Sequence, residues 1–223
     1  MTAAPFTPAF EDLPEEIPVF PLAGALLLPH GRLPLNIFEP RYLAMVEDAL
    51  AAGRMFGMLQ GDPSRPRDER GTAVYSVGCL GRISSFSETE DGRYLITLTG
   101  LLRYRVREEL PMRRGYRRMR VDYSPYRADL LPLPTGDSIP RPQLIEILRP
   151  YFRSHGIEVN WEAIEKTPEA LLVNTLAMVC PFSVAEKQAL LEAPDPAARA
   201  GLLATLVRIG AHGDGPEGRG LPS

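Results

Sequence analysis

The sequence predicts an α+β protein, with strand-forming segments up to residue 127 and helix-forming segments from residue 143. Three observations carry this. Prolines at 18, 21, 29 and 34 separate short apolar stretches, which excludes a helix there and suits short strands. Asp91-Gly92 lies between the apolar runs 83–86 and 94–98, and this dipeptide marks hairpins because a type I′ turn needs positive φ at both central residues. Beyond residue 142 the punctuation changes to helix caps, with Thr167-Pro168, Ser183 plus Glu186, and Asp195-Pro196.

The 223 residues are 44% apolar and 24% charged, enough for one or two domains with a core. A formal charge of −3 gives no overall attraction to nucleic acid or to an anionic membrane. No apolar run approaches the roughly 20 residues that span a bilayer. The first ten residues lack a basic start and an apolar stretch, so the sequence predicts a cytoplasmic protein. All basic residues but Lys166 and Lys187 are arginine, which fits a coding bias in a chain rich in Ala, Gly and Pro. Cys79 and Cys180 lack the spacing of a zinc site and read as buried, reduced thiols.

Along the chain, residues 1–16 read as an extended or disordered lead-in. From 17 to 38 short strands are expected, with Phe20, Leu22, Leu35, Ile37 and Phe38 in the core. The period then changes, since Tyr42, Met45, Val46, Ala49 and Leu50 recur at helical spacing and Gly53 ends the segment, giving a helix over 41–52. Residues 55–60 form a strand, 61–71 a polar loop, and 72–106 further strands, with a bend at Gly100. Residues 117–123 alternate again, with Met119, Val121 and Tyr123 on one face. Four prolines between 128 and 142 mark a linker, so the domains read as 17–127 and 143–209. Helices are expected at 143–155, broken or kinked by Pro150, and at 167–180, 183–193 and 195–209. Leu171, Leu172, Thr175, Met178 and Val179 form the apolar face of the second of these, and Asn174 within it must find a hydrogen-bond partner. Residues 210–223 read as a disordered tail.

The chemistry-bearing motifs are conspicuous by subtraction. Neither lysine follows a glycine, so no Walker A loop is present. His30, His155 and His212 stand singly, and no HExxH or G-x-S-x-G occurs. Lys166 and Lys187 are expected on polar helical faces, away from any Ser-Lys dyad. The sequence therefore predicts a non-enzyme with no cofactor and no metal.

The stretch IPVFPLAGALLLPHGRLPLNIFEPRYLAM (17–45) resembles the opening signature of the Lon amino-terminal domain family. That is the substrate-binding domain of ATP-dependent Lon proteases, also found as a free-standing bacterial protein. VGCLGRI (77–83), DGRYLITLTGLLRYRV (91–106) and LLVNTLAMVCPFSVAEKQALLE (171–192) continue the likeness. The resemblance implies a PUA-like, partly open β-barrel of six strands with one helix, followed by a helical subdomain. It also implies a chain that ends before the ATPase and peptidase modules of a full protease. The implied partners are unfolded or damaged polypeptides and a protease, with no membrane.

Two surfaces compete for binding. Met55, Phe56, Met58 and Phe86 near the polar loop, with Met112 and Tyr116 in the 108–116 connection, are adaptable apolar side chains of the kind a polypeptide binder needs. The alternative is nucleic acid. Between 103 and 127 nine arginines face three acidic residues, a surplus of six charges. Alternation puts Arg103, Arg105 and Arg107 on one outward face, with Arg118 and Arg120 nearby. Against that stands a solvated sheet face neutralised by acidic residues from the helical part.

Overall fold

Six strands pair in the order β2-β5-β4-β3-β1-β6. They are β1 (Glu16–Pro21), β2 (Arg32–Ile37), β3 (Met55–Leu59), β4 (Val77–Glu88), β5 (Tyr94–Arg113) and β6 (Tyr116–Asp122). The computed structural model describes residues 8–67, 71–136 and 139–213. It divides into two units, Met1–Pro132 with Met178–Glu192, and Leu133–Ala177 with Ala193–Ser223. The first seven residues of the expected lead-in, and residues 214–223 of the expected tail, lie outside the described residues.

In the first unit, β5 turns the sheet into a partly open barrel. Its first half lies between β2 and β4, and its second half pairs with β6. β1 runs parallel to β3, a pairing that requires a long connection, and β2 and helix α1 (Pro40–Ala51) lie within that connection. Proline at the start of α1 is preorganised for the first turn, and the helix buries Tyr42, Ala44, Met45, Val46 and Ala49. Ile17, Val19, Leu59, Leu80, Leu102, Tyr104, Met119 and Val121 belong to one core cluster. Its tyrosines satisfy their hydroxyls by donating to main-chain carbonyls, Tyr104 to Met58 at 3.1 Å and Tyr123 to Pro14 at 2.8 Å.

The strand expectations need four corrections. Gly100 does not end a strand, because β5 runs through it. A side chain there would collide with the Leu28 carbonyl, so glycine permits the 22–31 segment to cross. The Asp91-Gly92 turn is not type I′, since only Gly92 takes positive φ (78°). The I′ geometry occurs instead at Arg114 and Gly115, φ 48° and 85°, which convert the expected 108–116 connection into the β5–β6 hairpin. Phe38 is 61% exposed, not core.

A 3-10 helix (Ser124–Leu130) and the helix α5 (Val184–Glu192) complete this unit. Ser183 and Glu186 form a capping box at the start of α5, the Ser183 N–H and hydroxyl donating to Glu186 Oε2 and the Glu186 N–H donating to Ser183 Oγ. Lys187 departs from expectation. It is buried, its Nζ donating to Gly24 O at 2.7 Å and Met178 O at 3.4 Å, and desolvation holds its pKa below the ordinary lysine value. Gln188 donates to Val77 O at 3.1 Å.

The second unit holds α2 (Arg141–Ser154), α3 (Trp161–Lys166), most of α4 (Glu169–Val179) and α6 (Pro196–Gly213). α2 continues through Pro150, and α6 reaches Gly213, four residues past the expected end. The six-residue α3, capped by Asn160 accepting from the Ala163 N–H, had no counterpart in the expected helices. α4 buries Ala170, Leu172, Val173, Asn174, Leu176 and Ala177, whereas Leu171, Thr175 and Val179, expected to pack, are exposed. Asn174 Oδ1 accepts from Arg199 of α6 at 3.2 Å.

Candidate polypeptide-binding surface

The second half of β4, the first half of β5 and β2 form a three-stranded arm beyond the end of β3. The pairs Phe86↔Ile96 and Leu35↔Ile96 put Phe86, Ile96 and Leu35 on one face, with Tyr94 two residues along. The Phe86 and Tyr94 rings lie 5.0 Å apart, and Tyr94 donates its hydroxyl to Glu47 of α1 at 3.3 Å. Leu95 occupies the opposite face. The Arg93 guanidinium sits over the Phe38 ring at 5.8 Å. Phe38, Phe86 and Leu95 are 61%, 42% and 45% exposed.

The sequence named six apolar candidates, and the structure does not bring them together. Phe56, Met58 and Tyr116 are buried, and Met55 is half-buried against the core cluster. Tyr116 also donates to Asp48 at 2.6 Å, and burial with that bond pushes its pKa up to about 12. Met112 is exposed but lies near the far end of β5 from Phe86. Only Phe86 belongs to the arm. Leu95 and Phe38 were missed, although strict alternation along β5 around Ile96 signals Leu95.

Arg103 corrects the outward-face expectation. It is buried, with Nε on Asp129 Oδ2 at 2.7 Å, Nη2 on Oδ1 at 2.8 Å and Nη1 on Leu191 O at 3.1 Å. Arg107 pairs with Asp122, Arg118 with Glu16 at 2.8 Å, and Arg120 with Glu16 at 2.9 Å and Glu108 at 2.6 Å. Arg113, Arg114, Arg117 and Arg127 are likewise paired, with Asp48, Glu47, Glu109 and Glu11 among their partners. Among the described residues Arg105 alone of the nine has no ion pair. Among the ion pairs of these arginines, the local surplus of charge is thus met by carboxylates of the first unit, from the lead-in, β1, α1 and the 3-10 helix, and not by carboxylates of the helical part.

A cleft of about 150 Å³ is lined by Arg41, Tyr42, Arg67 and Arg117 where β1 ends and α1 begins. Arg117 is anchored there by Glu109 and by Thr72 O at 2.8 Å. Among the described residues no group of three or more His, Cys, Asp and Glu could hold a metal ion. Cys79 and Cys180 are buried and not joined in a disulfide. No helix among the described residues is long and apolar enough to cross a membrane.

The sequence matches the family model of the ATP-dependent protease La (LON) substrate-binding domain over residues 16–208. The chain belongs to that family. As a Lon substrate-binding domain it is similar to Lon protease 2 of Thermus thermophilus, 25% identical over 207 residues, which are 90% of this chain and 24% of the relative. Lon protease 2 of Myxococcus xanthus is 29% identical over 112 residues, 50% of this chain and 13% of that protein. The chain thus spans about a quarter or less of these relatives. The Lon N-terminal domain protein from Xanthomonas campestris superposes with a TM-score of 0.57 at 25% identity, covering 85% of this chain and 97% of that one. The N-terminal domain of Mycobacterium avium complex Lon protease shares the fold, with a TM-score of 0.54 at 17% identity and coverage of 86% and 97%.

Proposed function

We propose that the chain is a non-catalytic recognition module that binds unfolded or damaged polypeptides and assists a protease. The observation that carries this reading is that the arm exposes apolar side chains on both of its faces, Phe86 on one and Leu95 on the other, with Phe38 exposed just past the end of β2, in a chain of a substrate-binding family. Aromatic and branched side chains on a rigid sheet offer contact area to varied partners at little entropic cost. An arm of this size supports weak, transient binding, of micromolar affinity or looser.

Fluorescence anisotropy of a labelled unfolded polypeptide tests the reading. Saturable binding supports it, and a blank up to about 1 mM, where binding is worth only about 4 kcal/mol, overturns it. The nucleic-acid alternative has less support, because carboxylates already pair eight of the nine arginines between 103 and 127. Affinity for single-stranded RNA that falls steeply with salt would favour it.

A further inference from the structure

The arm has two outer edges, and the sequence treats them differently. Gly100 donates its N–H to Gly31 O and accepts from the His30 N–H, each at 2.9 Å. Alternate residues of β5 counted back from Gly100, namely Leu98, Ile96 and Tyr94, therefore turn their backbone groups toward β2. Their partners Leu33, Leu35 and Ile37 are bonded inward, and Pro34 falls between them with its ring nitrogen on the outer side. An incoming strand would meet no N–H at Pro34.

The opposite edge belongs to β4. β3 pairs with β4 from Met58↔Cys79 to Met55↔Arg82, and the next bond on that side runs from Ile83 N–H to Arg54 O at 2.8 Å. Ile83 faces Leu98 and Ser85 faces Thr97, so Ser84 is the extra residue of a bulge. Beyond it the register is regular. Thr97 and Leu95 direct their backbone groups at Ser85 and Ser87, which leaves the N–H and C=O of Phe86 and Glu88 pointing outward, with no strand on that side among the described residues. Residues 84–88 are all exposed. Three of the five are serines, short enough to let a second backbone approach, and none is the proline or lysine that commonly guards an edge.

We propose that an extended segment of an unfolded polypeptide adds as a strand to this edge of β4, hydrogen-bonded to the main chain of Phe86 and Glu88. The proposal rests on the polypeptide-binding reading and supplies its mode. Main-chain donors and acceptors are common to every polypeptide, so the edge selects extended conformation instead of sequence, and the Phe86 ring adds apolar contact for alternate side chains of the guest. Five residues give an edge about 16 Å long. A strand laid along it covers far less than the roughly 800 Å² per partner of a stable complex, which favours a transient guest over a second copy of this chain.

Hydrogen–deuterium exchange on the full chain, alone and saturated with reduced, carboxymethylated α-lactalbumin as a permanently unfolded probe, reads the edge directly. The Phe86 and Glu88 amides are expected to exchange about tenfold more slowly in the complex, with Arg32 and Asn36 on the Pro34 edge unchanged. Phe86→Pro deletes one outward N–H and is expected to weaken binding about tenfold, whereas Phe86→Ala keeps the N–H and weakens it less. Should the proline variant fail to fold, the exchange pattern of the unaltered chain decides. Binding that leaves both amides unchanged overturns the edge and spares the polypeptide-binding reading. Failure of the probe to bind at all overturns both. Slow exchange at the edge that grows with protein concentration and needs no probe makes a second copy the occupant, and also overturns the proposal.

Discussion

Arg103 and Asp129 form a two-pronged ion pair on the side of β5 that strict alternation assigns to solvent, with side chains only 5% and 11% exposed. The pair is further enclosed by Tyr126, whose ring lies 4.7 Å from the guanidinium. Replacing Asp129 with Asn would leave a buried cation without its counter-charge. Asp129→Asn is expected to cost about 3 kcal/mol in urea unfolding. A loss below about 0.5 kcal/mol would show that the pair contributes little.

The surface pairs behave differently. Arg120 meets Glu16 where both partners are exposed, and Arg118 meets it with its own side chain half-buried but Glu16 exposed, so water and salt screen the attraction. Arg118→Ala and Arg120→Ala are each expected to change stability by less than about 0.5 kcal/mol, as measured by thermal unfolding at low and high salt.

Alkaline pH probes the buried tyrosines. Burial pushes the Tyr104 and Tyr123 hydroxyls upward, and Tyr116 is raised to about 12, whereas in the unfolded chain each ionises near 10.0. Above pH 10 the unfolded chain releases protons that the folded chain keeps. Their contribution is therefore intact below pH 10 and is lost as pH climbs through the folded values. Lys187 acts in the opposite sense, since its lowered pKa makes stability rise with pH up to its unfolded value of 10.5. Unfolding free energies followed by circular dichroism should fall above pH 10, and Tyr116→Phe should flatten the fall between 10 and about 12. An unchanged slope in that variant would contradict the assignment.

Gly100→Ala places a methyl group against the Leu28 carbonyl, and neither main chain can yield without disturbing the sheet. The expected cost is about 3 kcal/mol, visible as a lower midpoint in denaturant. At Ser183 the loss is smaller, since Ser183→Ala removes a helix cap worth about 1 kcal/mol.

On the arm, Phe86→Ser with Leu95→Ser should leave the fold intact, because both side chains are only about half covered and neither belongs to the core cluster. Binding of an unfolded polypeptide is expected to weaken at least about tenfold, equivalent to 1.4 kcal/mol. Unchanged anisotropy titrations would move the binding surface elsewhere.

Local order was legible where local rules govern it. The spacing from Tyr42 to Leu50 and the stop at Gly53 located α1, and Ser183 with Glu186 located α5, because caps and periodicity act within a turn or two. What escaped depends on partners far away in sequence. Arg103 alternates correctly with Leu102 and Tyr104, yet its outward face is covered by Asp129 and Leu191, which no window around β5 contains. Phe56 and Met58 carry the same adaptable chemistry as Phe86, and only the enclosing sheet separates core from surface. Gly100 signals both a bulge at Leu101, where β5 shifts register against β4 without ending, and the close approach of another segment, since glycine reports the need for space without saying which chain fills it.

The position of α5 bears on how this protein can be cut. Residues 178–192 return to the first unit after the chain has already visited the second. A fragment ended in the proline-rich stretch near 132 would shed Gln188, Lys187 and the Leu191 carbonyl together. It would take from the Val77 and Gly24 carbonyls and from Arg103 Nη1 the bonds they make with α5. The smallest excisable form of the barrel is therefore discontinuous, and grafting it onto another protein calls for a spliced α5 or a circular permutation, not a stop codon.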